Sequence, residues 1–285
     1  MNTESYHFKV GTFDCLAVSD GSMTTSAAAE FLFTNASKEM LGQVLQSHNI
    51  QFDQWVELFT CLVIKTGEHC VLVDTGMGIH DWAPNAGKLL QNLRDEGIEP
   101  DEIDTVIISH AHGDHIGGTT DPEGRAAFPK ARYFIRKDEW DFWTSETTLS
   151  NPAHEWMTEF VNQNLLPIKD RFHFIEQDNE IVHGVKTLFA PGHTPGNMAL
   201  VIESNGESLM YIGDAILHTI HLEHPEWYSE PDCQPDQTVR TRRFLLERAA
   251  SDHTLIFAFH FDFPGLGYAQ PQQENWKWQP IGETG

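Results

Sequence analysis

The sequence has 285 residues, with 18 Lys and Arg against 42 Asp and Glu, for a formal charge of -24. A field of that sign repels phosphate backbones and anionic lipid surfaces, so neither nucleic acid nor a membrane is an expected partner. The length suits one large α/β domain over residues 1–285, and 40% hydrophobic residues supply a sizeable core.

The opening segment, Met1 to Gly11, lacks the basic and long apolar regions of a secretory leader. No later stretch approaches the roughly 20 apolar residues that span a bilayer, so a cytoplasmic protein is expected. From Phe8 to Val18 and from Leu58 to Val73 the chain reads as short β-rich runs, the second divided into a hairpin by Thr66, Gly67 and Glu68. Between them, Ala27 to Ser47 carries Leu32, Leu41 and Leu45 among polar residues, which predicts one or two short helices with Ser37 as an N-cap. Leu89, Leu90 and Leu93 fall at helical spacing within Ala86 to Asp95, and Gly97 supplies a left-handed stop. Asp104 to Ser109 is nearly all apolar, as a strand buried on both faces requires. Arg132 to Arg136 and Arg171 to Ile175 read as strands around helical stretches from Trp140 to Asn164, which Pro152 interrupts. Ala199 to Glu203 and Ser208 to Ile212 flank Asn205 and Gly206, a strong hairpin signal. Pro235 to Ala250 reads as helix and Thr254 to Phe259 as a last strand. Cys15, Cys61, Cys70 and Cys233 are scattered and read as reduced thiols, with a Cys61–Cys70 bridge across neighbouring strands as the alternative.

The chemistry concentrates where the buried run ends. His110, His112, Asp114 and His115 place four metal-capable side chains in one short loop. Imidazole and carboxylate suit Zn²⁺, Mn²⁺, Fe²⁺ or Co²⁺, and a catalytic ion needs about three protein ligands with a position left for water. One ion cannot use all four well. Alternate residues of an extended segment point the same way, so His110 and His112 can share one ion while Asp114 and His115 face another. His193, Asp214 and His260 each also follow an apolar run, the strand-end position where layered α/β enzymes gather a site.

These residues resemble the metallo-β-lactamase-fold hydrolases over nearly the whole chain. The resemblance rests on the His-x-His-x-Asp-His signature at 110–115, on Asp74-Thr75-Gly76, on the turn from Pro191 to Gly196, on Gly213-Asp214 and on His260, all in the family's order. It implies a four-layer αββα sandwich. It also implies that His110, His112 and His193 hold a first ion, that Asp114, His115 and His260 hold a second, and that Asp214 bridges both. Asp114 and Asp214 would be the catalytic carboxylates, and Asp74 would orient a ligating histidine. Two ions, zinc before manganese, iron or cobalt, would sustain a bridging hydroxide that attacks an activated ester, lactone or phosphotriester. The segments after Asp214 and His260 look most like the methyl parathion hydrolase branch. Acylhomoserine lactonases are the nearest rival, although they usually carry a substrate-contacting tyrosine where this chain has Leu217.

Pocket expectations fall on Leu217, His218, Phe263 and Leu266, the last two because they follow His260 closely in a Pro-Gly loop. Phe31, Phe33, Trp55, Phe59, Trp140 and Trp143 are expected in the core, and His218, His221 and His224 are read as loop histidines exposed to solvent, with substrate contact as the alternative. No residue is evident as a general acid. A glutathione-thioester hydrolase and a di-iron redox protein are the alternatives; for the first, this chain shows no basic cluster suited to a glutathione carboxylate, and the second usually has Glu at the position of His112. The sequence leaves a homodimer open.

Overall fold

The computed structural model describes residues 4–25, 28–51 and 55–282. The expected helix start at Ala27 and the opening residues 1–3 lie outside them. The described residues form two seven-stranded sheets. The first runs in chain order through β1 (Ser5–Val10), β2 (Phe13–Thr25), β3 (Trp55–Lys65), β4 (Cys70–Val73), β5 (Thr105–Ile107), β6 (Arg132–Arg136) and β7 (Phe172–Ile175). The second contains β8 (Glu180–Val182), β9 (Val185–Phe189), β10 (Met198–Ser204), β11 (Glu207–Tyr211), β12 (Leu255–Phe257), β13 (Leu266–Gln272) and β14 (Asn275–Pro280), in reverse spatial order from β14 to β8. Pairing is antiparallel from β1 to β4 and parallel from β4 to β7.

Strand periodicity sorts the apolar side chains into layers. Leu200, Ile202, Leu209 and Tyr211 enter a core shared with Leu16, Val18, Ile64 and Leu72 of the first sheet. Their neighbours Ala199 and Met210 face the opposite way, towards Leu245, Leu246 and Ala249 of the helix Pro235–Ser251. Helix, sheet, sheet and helix thus stack as the expected αββα sandwich. Among the described residues, no helix is long and apolar enough to cross a membrane.

Local chemistry accounts for most differences from the sequence reading. The first β run is two strands, because Gly11 at φ +57° turns the chain between Val10 and Phe13. The helix expected from Ala86 begins at Leu89; buried Asp20 accepts the backbone N–H groups of Met77, Gly87 and Leu89 and holds the preceding residues in a loop. Ser37 accepts from the Met40 N–H as an N-cap should. Asn205 and Gly206, both at positive φ, close the β10–β11 hairpin. The cysteines are all free. In the β3–β4 hairpin Cys70 pairs with Lys65, four residues along the strand from Cys61, so the register forbids the alternative bridge.

Gly117, which follows the histidine-rich loop, has no room for a side chain. A Cβ there would lie 1.8 Å from the Met77 carbonyl oxygen. Gly117→Ala is therefore expected to destabilise the protein by at least about 2 kcal/mol, because backbone must shift to admit the methyl group. Urea unfolding measures this, and a midpoint equal to wild type would show that the two loops separate freely.

Candidate metal centre

Strand β5 delivers the chain to the site and then stops. After Ile107 the backbone extends through His110 and His112 and turns into the short helix Gly113–Ile116, where the His115 N–H donates to the His112 carbonyl. That turn folds His115 back beside His110, with ring centroids 4.1 Å apart. His193 arrives from the β9–β10 connection, and its Nε2 lies 2.9 Å from His112 Nδ1. Asp214 follows β11 and His260 follows β12.

The seven residues expected as ligands converge into two groups. His110, His112, His193 and Asp214 form one, and Asp114, His115, Asp214 and His260 the other, each with its ligand atoms within 4.8 Å of one another. Asp214 belongs to both. Its Oδ2 lies 3.6 Å from His110 Nε2, 3.4 Å from His193 Nε2 and 3.1 Å from His260 Nε2, while Oδ1 lies 3.3 Å from His115 Nε2. Asp114 Oδ2 lies 3.4 Å from the Nε2 atoms of both His115 and His260.

Two observations test whether this donor set fits cations. His110 Nε2, His115 Nε2 and Asp214 Oδ1 are buried with no hydrogen-bond partner, a costly arrangement unless something else satisfies them. Charge points the same way. Burial and the neighbouring imidazoles hold His110 and His112 well below the usual histidine range, in the neutral form that binds metal. Burial works to lower His115 and His260 too, yet the carboxylates of Asp214 and Asp114 outweigh it, raising His260 to about 9 and His115 well above its usual value. For Asp214 burial acts upward, but the imidazoles of His115, His260 and His110 prevail and hold it well below the carboxylate range. The cluster therefore draws positive charge, and two divalent ions fit it.

Groups behind the cluster fix the imidazole orientations. His115 Nδ1 lies 2.8 Å from Asp74 Oδ2, and Asp74 also accepts from the Ser109 N–H, the Ser109 hydroxyl and the Tyr211 hydroxyl. His193 Nδ1 lies 2.8 Å from Asp232 Oδ1, and His260 Nδ1 lies 3.0 Å from the Leu58 carbonyl. All three contacts leave Nε2 facing the cluster. Glu139 joins two loops: it accepts from the N–H groups of Ala111 and Gly196 and from the Trp143 indole at 2.8–2.9 Å. Arg242 donates to the carbonyls of Ala215, Pro225 and Trp227, pinning the segment after Asp214. Sequence reasoning found Asp74 but missed Asp232, Glu139 and Arg242, which sit in ordinary loop and helix contexts with no motif to mark them.

A pocket of about 200 Å³ opens over the two groups, walled by apolar residues that include Phe31, Leu32, Phe59, Trp82, Trp156 and Leu217. Leu217 is thus where a pocket residue was expected. His218 instead lines an adjoining cavity of about 270 Å³, packed against Phe33 and Trp55. Phe263 and Leu266 are corrections: Phe263 packs on the main core, and Leu266 is buried opposite Phe257 in β13, because the chain re-enters the sheet directly after the loop. His221 is buried beside the Leu32 carbonyl and His224 stacks on Trp227, so neither is the exposed loop histidine the sequence suggested. Phe31, expected in the core, is 47% exposed at the pocket.

The fold and paired ligand groups define a class, the dinuclear-metal hydrolases built on an αββα sandwich. The chain belongs to the metallo-beta-lactamase superfamily, whose sequence profile matches residues 60–260. N-acyl homoserine lactonase AiiA of Bacillus thuringiensis subsp. kurstaki is 31% identical over 220 residues, covering 70% of this chain and 80% of that protein. Among solved structures, the dizinc quorum-quenching lactonase AidC, in complex with a product, superposes with a TM-score of 0.88 at 29% identity over 99% of both chains. The hydrolase AbOPH gives a TM-score of 0.90 at 25% identity over the full length of both.

Asp232→Ala removes the group that orients His193. Zinc affinity is expected to fall about 10- to 100-fold, measured by competition with a chromophoric chelator alongside circular dichroism. Unchanged affinity in a folded variant would show that His193 needs no such partner.

Proposed function

We propose that this hydrolase opens lactones and cleaves activated esters, with N-acyl homoserine lactones the first substrate class to test. The observation that carries the reading is Asp214, which belongs to both ligand groups beneath a pocket with apolar walls: its Oδ2 faces His110, His193 and His260, and its Oδ1 faces His115. His110, His112, His193 and Asp214 would hold one ion, and Asp114, His115, His260 and Asp214 the other, zinc being the ion named for the AidC neighbour. Two bound dications supply hydroxide near neutral pH and withdraw electron density from a carbonyl oxygen.

The chain's own residues do the rest. Asp74, Asp232 and the Leu58 carbonyl hold three imidazoles in one tautomer. Phe31, Trp82 and Trp156 offer an apolar acyl chain a dry wall. Leu217 carries no hydroxyl, so neither carbonyl polarisation nor leaving-group protonation comes from that position. Aryl esters and aryl phosphotriesters belong in the same test panel, since their leaving groups depart as stable anions. We read residues 1–285 as one domain because the ligands come from both sheets, and a cytoplasmic location suits four unpaired cysteines. A homodimer is compatible with this reading, and gel filtration decides it.

Two outcomes are expected. Elemental analysis should find two ions per chain in the wild type, and Asp214→Asn should lose second-ion occupancy together with turnover; both ions retained at near-normal turnover would remove Asp214 from a bridging role. Across a series of aryl esters, log kcat/KM should fall steeply as the leaving phenol's pKa rises, because an assisting acid typically contributes about 10² to 10⁴ in rate and none is assigned here. A flat dependence below the diffusional limit would mean that a proton donor assists departure.

A further inference from the structure

Among the described residues, Glu57 is the one carboxylate outside the ligand groups that lines this pocket, and it also borders the adjoining cavity. Its Oε1 lies 4.0 Å from His260 Nδ1, beyond hydrogen-bonding distance, and that nitrogen is already matched to the Leu58 carbonyl. Among the described residues, none donates a hydrogen bond to the Glu57 carboxylate. Besides His260 and the ligand groups, its neighbours on the pocket wall are apolar: Met23 stands opposite it on β2, and Phe59, Leu32 and Leu217 complete this side of the wall.

The Glu57 side chain is 26% exposed, so water in the open pocket can solvate it. A substrate that fills the pocket displaces that water. An acceptor then left without a donor is penalised more heavily than a satisfied one is rewarded, and this asymmetry makes a polar group in an apolar wall selective. A second carboxylate brought by the substrate would meet repulsion instead.

We propose that Glu57 is a specificity-determining residue that accepts a hydrogen bond from an N–H group near the substrate's scissile bond. It selects esters and lactones bearing a secondary amide and disfavours those bearing a carboxylate. This rests on the hydrolase reading above and adds to it the polar feature of the substrate.

Matched ligands isolate the hydrogen atom. Zinc-loaded protein is assayed at pH 8.5. The substrates are the phenyl esters of N-acetylglycine, N-acetylsarcosine and succinic acid, with buffer rates subtracted. Binding of unreactive N-hexylacetamide and its N-methyl counterpart is followed in parallel by quenching of tryptophan emission. Wild type should favour N–H over N–CH₃ by at least about tenfold in kcat/KM. Glu57→Leu should bring that ratio close to one. Glu57→Gln, which keeps an acceptor without the charge, should retain part of the N–H preference and lose the discrimination against the succinate ester. An N–H to N–CH₃ ratio that Glu57→Leu leaves unchanged in both hydrolysis and binding overturns the proposal. A wild type that hydrolyses none of the esters yet binds the N–H amide in a Glu57-dependent way would instead overturn the hydrolase reading and leave the assignment of Glu57 standing.

Discussion

A buried carboxylate surrounded by imidazoles governs this molecule. Asp214 is 3% exposed and has His110, His115, His193 and His260 within 3.6 Å. Burying such a charge is costly unless positive charge meets it, which is why the rest of the site gathers around it. Those partners come from distant parts of the chain: His110 and His115 follow β5 of the first sheet, while His193, Asp214 and His260 follow strands of the second. The centre therefore exists only when the sandwich is closed. Backbone contacts across the sheets fix that closure at the site itself, with the Met198 N–H on the Ser109 carbonyl and the Thr60 N–H on the Phe259 carbonyl.

The same convergence explains what the sequence could disclose. His110 to His115 announce themselves because four donors lie in one local segment, and local patterns survive without knowledge of the fold. His193, Asp214 and His260 are legible more weakly, through their positions after apolar runs. Glu139 and Asp232 leave no such trace. An acidic residue in the first turn of the helix Lys137–Thr144 looks like a favourable partner for the helix dipole, and only the tertiary structure shows Glu139 holding two ligand loops together.

Errors followed the same logic. Proximity to His260 suggested that Phe263 and Leu266 face the substrate, but β13 pairs with β12 within a few residues and carries Leu266 into the core. Phe31 went the other way: a large aromatic is usually buried, yet a pocket that holds an apolar chain must show apolar surface to solvent. Strands β8, β13 and β14 escaped the sequence reading because they are short or rich in polar residues, so the alternation that marks a half-buried strand is faint.

Charge at two ranges completes the picture of what enters. The formal charge of -24 sets a long-range field that disfavours anions before contact, screened over about 8 Å at physiological ionic strength. At contact range, the role proposed for Glu57 would repeat that preference inside the pocket, where low polarity strengthens it. Away from the ligand groups the apolar wall suits neutral chains, and among the described residues it contributes no Lys or Arg to hold a carboxylate tail. On that role, selection against anionic substrates can lie apart from the reacting centre. It can change by substitution at the pocket wall while the ligand groups, fixed by both sheets, remain as they are.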